Sequence, residues 1–83
     1  MISIDLMDIT QYDFEIKRHA LLRAMQRGVT PDMIEATLKG GTILRSGKRN
    51  VRFMKRYKRF IVICVDEVCG STIKIVTIET KRY

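Results

Sequence analysis

The chain has no tryptophan, one proline, one histidine and two cysteines in 83 residues. Two cysteines cannot build the disulfide framework on which small secreted domains rely. With His19, Cys64 and Cys69 make at most three soft metal ligands, and a structural zinc site takes four. The sequence has no glycine-rich phosphate loop, and a Ser-His-Asp arrangement is not evident. No apolar run approaches the roughly 20 residues that span a bilayer. The opening Met-Ile-Ser-Ile-Asp-Leu-Met-Asp is acidic where an export signal would be basic. These absences lead us to expect one soluble, cytoplasmic domain with no metal, no cofactor and no membrane partner.

Acid is also scarce, with 9 Asp and Glu against 16 Lys and Arg. Four of the acids, Asp5, Asp8, Asp13 and Glu15, lie in residues 1–15, which hold no base, so the rest of the chain carries a net +11. Eight bases fall between Arg45 and Arg59 with no acid among them. Such a field concentrates polyanions and speeds their encounter. Nucleic acid and acidic protein segments are the partners it favours.

The stretch 17–31 organises the chain. Residues 12–27 read as a helix, with Phe14, Leu21, Leu22 and Met25 toward the core. Positions four apart stack on one helical face, so His19, Arg23 and Arg27 form a column at an edge of the core. Gly28 stops the helix, because glycine takes the left-handed conformation at little steric cost. Thr30 caps a second, shorter helix over 32–39, and Pro31 sits where a missing N–H costs nothing. Gly40-Gly41 ends it.

From residue 42 the period changes. Residues 42–45 read as a strand and 46–50 as turn chemistry. Val51, Phe53, Lys55 and Tyr57 alternate with Arg52, Met54 and Arg56, giving an apolar face and a basic one. The run 59–65 is apolar without alternation, as in a central strand covered on both faces. In the last strand, Ile73, Ile75 and Thr77 point one way and Lys74, Val76 and Ile78 the other. Short connections imply antiparallel hairpins. The expected fold is α+β: two N-terminal helices packed on one face of a twisted three- to four-stranded antiparallel sheet. The layout is a single domain with an arm or edge strand at 1–10, a helical hairpin over 11–40 and the sheet over 42–80.

The run His19-Ala20, Arg23 and Arg27-Gly28-Val29-Thr30, then a short helix, Gly40-Gly41 and strands ending in Ile75-Val76-Thr77-Ile78, resembles a microbial domain-of-unknown-function family numbered 4258. The resemblance covers roughly residues 16–80. One departure is Lys17, where that family commonly has serine. The family is similar in fold to the small ribonuclease toxins of the RelE/ParE and barnase–colicin group, which mostly cleave RNA without a metal. The resemblance implies that His19, Arg23, Arg27 and Thr77 are functional positions. It also implies a toxin-type endoribonuclease, ribosome-associated RNA as a target and an acidic antitoxin as a protein partner.

The residues suit that chemistry. RNA cleavage needs a group to take the 2′-OH proton, one to protonate the leaving 5′-oxygen and cations for the phosphorane-like transition state. His19 is the natural proton carrier. Arg23 and Arg27 match phosphate geometry, and Thr77 could orient a substrate group. Lys48, Arg49, Arg52, Lys55 and Arg56 are the candidate nucleic-acid contacts, with Tyr57 as a second acid or a stacking platform. The expectation is one pocket that joins the His19 column to the Arg52–Arg56 face. The alternative is a non-catalytic nucleic-acid-binding or protein-interaction module that uses the basic sheet face.

Overall fold

The computed structural model describes residues 11–82, so the expected arm at 1–10 lies outside the described residues. The elements are β1 (Asp13–Ile16), α1 (Arg18–Gln26), α2 (Pro31–Gly40), β2 (Thr42–Ser46), β3 (Asn50–Arg56), β4 (Phe60–Cys69) and β5 (Thr72–Arg82). The five strands form one sheet in the order β1-β5-β4-β3-β2. β2 through β5 are antiparallel neighbours, as their short connections require. β1 instead pairs parallel with β5, from Asp13 with Thr72 to Ile16 with Ile75.

The fold is α+β, with five strands in a mixed sheet where three or four antiparallel ones were expected. The difference lies in residues 12–16. Asp13–Ile16 are extended after a bend at Tyr12, and Tyr12, Phe14 and Ile16 turn toward the core. The helix starts at Arg18, so the helical hairpin is shorter than 11–40. Phe14 reaches the core from a strand and meets Phe53 edge-on, with centroids 6.0 Å apart.

α1 buries Ala20 and Ala24, while Leu22 and Met25, expected in the core, are 50% and 52% exposed. With two alanines as its contact stripe, α1 can lie close to β5. Its end is a Schellman motif. Val29 N–H bonds to Ala24 O at 2.9 Å, Gly28 N–H bonds to Met25 O at 3.1 Å, and Gly28 holds φ at 85°. Its start has no side-chain cap, because Lys17 occupies that position. α2 starts as expected, with Thr30 Oγ1 accepting from Met33 N–H at 3.2 Å and Pro31 in the first turn.

Both helices lie on one face of the sheet. Ile34 and Leu38 of α2, with Val29, pack on Val51, Phe53, Val62, Cys64, Ile73, Ile75 and Ile78. Ile61, Ile63 and Val65 of β4 face the other side and stay half-buried, so the continuous apolar run does not mark a strand covered on both faces. No helix among the described residues is long and apolar enough to cross a membrane.

Two substitutions test this local physics. Lys17→Ser should supply the missing cap of α1 and raise unfolding stability by about 0.5–1 kcal/mol in urea titration. Gly41 lies so close to β3 that a Cβ there would meet the carbonyls of Thr37 and Met54, the latter at 2.6 Å. Gly41→Ala should therefore lower stability by about 1–3 kcal/mol.

Candidate functional site

The site begins where β1 stops. Lys17 N–H makes a last bond to Ile75 O at 3.3 Å, and the chain turns into α1. At the same level β5 carries a β-bulge. The register passes from Asp66 with Ile75 to Val65 with Thr77, leaving Val76 without a partner across β4. An extra residue flips the phase of everything after it. Ile73 and Ile75 face the core before the bulge and Ile78 faces it afterwards, while Thr77 is exposed. The regular alternation expected for this strand therefore breaks at Val76.

The helix and the bulge together form a small cleft of about 150 Å³, lined by His19, Ala20, Arg23 and Arg27 from α1 and Val76, Thr77, Ile78 and Glu79 from β5. All four residues expected to be catalytic, His19, Arg23, Arg27 and Thr77, line it, although Thr77 and Glu79 lie opposite Val65 and Ile63 and so sit on the sheet face away from the helices, bordering the cleft at the edge of β5. The column reaches the cleft because each member directly precedes a residue of the contact stripe or its continuation: Ala20, Ala24 and Gly28. Arg27 Nη1 donates to Ile78 O at 3.3 Å, which holds the end of the column against β5. Glu79 is a carboxylate that sequence reasoning passed over, since a lone acid in a strand carries no motif.

A second cleft of about 600 Å³ adjoins the first through Arg27. Its other lining residues are Lys58, Arg59, Phe60, Thr80 and Arg82. Lys58 and Arg59 were visible only as members of the basic run. Arg82 pairs with Phe60 and Thr80 with Val62, so all four strand residues share the face on which α1 lies.

The expected junction with Arg52 and Arg56 does not form. Val51 and Phe53 face the helices, so Arg52 and Arg56 project from the opposite face of β3. Lys48 and Arg49 sit in the β2–β3 turn, and Lys55 is half-buried beside Gly40 and Gly41. Tyr57 is half-buried under α2, where its hydroxyl donates to Met33 O at 3.0 Å. That bond ties its hydroxyl to α2, away from the Arg52 and Arg56 face.

No three His, Cys, Asp or Glu side chains cluster among the described residues. Cys64 faces the core and Cys69 the open side of β4. Beside the bulge, Asp66 is 1% exposed, and neither carboxyl oxygen has a hydrogen-bond partner among the described residues. Burial pushes its pKa up from 3.8 to about 8, so the group is a neutral acid at pH 7.

An unfolded chain releases the Asp66 proton near 3.8 and the folded one keeps it to about 8. Between those values the folded state binds the extra proton, so this group's effect is to lower stability as pH rises, levelling off above about 8. Asp66→Val should remove that slope and raise stability at pH 7 by roughly 1–3 kcal/mol. Urea titrations of both proteins from pH 4 to 9 measure the difference. No family model, curated protein or solved structure matches the chain, so what the clefts do has to follow from their own side chains.

Proposed function

We propose that this chain is a small RNA-binding protein that cleaves RNA without a metal in the cleft between α1 and β5. The observation that carries the reading is that His19, Arg23 and Arg27 of α1 and the Thr77 and Glu79 segment of β5 line one small cleft at the sheet edge. These are the parts that transesterification requires. The ribose 2′-oxygen attacks phosphorus as its proton passes to the Glu79 carboxylate. The bond from phosphorus to the 5′-oxygen breaks as the His19 imidazolium delivers a proton to that oxygen. The products are a 2′,3′-cyclic phosphate and a free 5′-hydroxyl. Arg23 and Arg27 hold the phosphate and meet the charge that builds on its oxygens. Thr77 orients the ribose or a phosphate oxygen.

A cytoplasmic location, with ribosome-associated RNA within reach, fits this reading. An acidic protein segment, antitoxin-like in character, would compete for the same cations. The alternative, binding without chemistry, draws on the second cleft, whose described lining has four basic side chains and neither an imidazole nor a carboxylate.

Purified protein incubated with RNA in EDTA, alone and with ribosomes, tests the reading. Wild type should release fragments ending in a cyclic phosphate. His19→Ala and Glu79→Gln should each slow this by about 100-fold or more. Equal background from wild type and His19→Ala on both substrates overturns catalysis. Loss of RNA binding in Arg27→Ala would then favour the binding module.

A further inference from the structure

We infer that the second cleft is a nucleotide subsite that takes single-stranded RNA next to the reacting phosphate, gripping a phosphate with Arg59 and Arg82 and a base with Phe60. The inference rests on the reading that the α1–β5 cleft binds RNA.

Size separates the two clefts. The first, at about 150 Å³, has room for the reacting phosphodiester and little beside it. The second, at about 600 Å³, falls in the range of ordinary small-ligand sites. Arg27 lines both, so a chain held at the first cleft runs directly into the second.

Charge supplies the affinity. Arg27, Lys58, Arg59 and Arg82 surround the second cleft, with no acid among the described residues of its lining. Among the described residues none of the four forms an ion pair, whereas Lys39 and Lys74 pair with Glu35 and Glu15. Four cations left together repel one another, and a polyanion relieves that repulsion. The β3–β4 turn and the end of β5 bring them together from distant parts of the sequence.

Phe60 makes the cleft more than a charged surface. It is half-buried, leans on Tyr57 with centroids 6.2 Å apart, and contributes an aromatic wall. Bases stack on such walls with little regard to sequence. A base can reach this one only if it is free of a duplex, so single strands are selected. Thr80 adds a hydroxyl within the same wall.

The test uses a fluorescein-labelled 2′-O-methyl oligonucleotide, which binds but lacks the attacking hydroxyl. Anisotropy titrations at several salt concentrations compare wild type with Arg59→Ala/Arg82→Ala, with Phe60→Leu and with the charge-matched control Lys39→Ala/Lys74→Ala, each checked for native circular dichroism. The arginine pair should weaken binding about tenfold or more and flatten the salt slope by about 1. Phe60→Leu should weaken it roughly fivefold and leave the slope intact. The control should match wild type, and a duplex of the same sequence should compete poorly. Binding by both cleft variants within twofold of wild type overturns the subsite. So does an equal loss in the control, or displacement by poly-glutamate as effective as by unlabelled RNA, since either outcome means undirected charge. The readout involves no cleavage. Wild type that binds as expected and fails to cut leaves the subsite standing and removes the catalytic reading. Cleavage that depends on His19 but not on Phe60, Arg59 or Arg82 does the reverse.

Discussion

Four residues of parallel pairing decide the geometry of the first cleft. β1 holds β5 only from Asp13 to Ile16, and the sheet edge beyond Ile75 is given over to α1. Had the pairing run longer, a strand would cover the edge of β5 where His19, Arg23 and Arg27 now sit. Had it been absent, nothing would fix the start of α1 against the sheet. The bulge at Val76 falls at the same level and turns Thr77 outward while returning Ile78 to the core. One local break in regular pairing therefore creates both walls of the first cleft.

The alanine stripe of α1 gives that break its depth. Ala20 and Ala24 are buried with no bulk to hold the helix away from β5. The neighbouring column of long side chains is carried to the edge of the sheet and stays accessible, and the Arg27–Ile78 bond secures its far end. The Schellman turn at Gly28 then redirects the chain under the sheet, where Val29 joins Ile34 and Leu38 in the core. Burial and access are divided between adjacent residues along one helix.

Much of this was legible in local chemistry. Gly28, Thr30 and Pro31 act at the helix junction as their backbone preferences dictate. The i, i+4 column was legible for the same reason. What was hidden is non-local. Tyr12, Phe14 and Ile16 alternate, but three apolar residues ahead of a helical pattern fit its start as readily as a strand. A parallel partner 59 positions away leaves no mark on either segment. The bulge leaves none either, since a strand with an extra residue reads as a longer regular strand. The basic character of the Arg52 and Arg56 face is legible in the alternation, but its relation to α1 depends on which side of the sheet the helices take. Thus the first cleft was foreseeable from one helix, and the second, assembled from α1, a hairpin turn and a strand end, was not.

The two cysteines differ in a way that has practical use. Burial and the neighbouring Asp66 push the Cys64 thiol up to about 12, so almost none of it is thiolate in neutral solution. Cys69 is half-exposed at the β4–β5 hairpin, at the opposite end of β5 from Arg82. An alkylating dye applied to the native molecule should therefore attach at one place, distant from both clefts. The chain thus carries a natural attachment point for a spectroscopic reporter, with no engineered cysteine required.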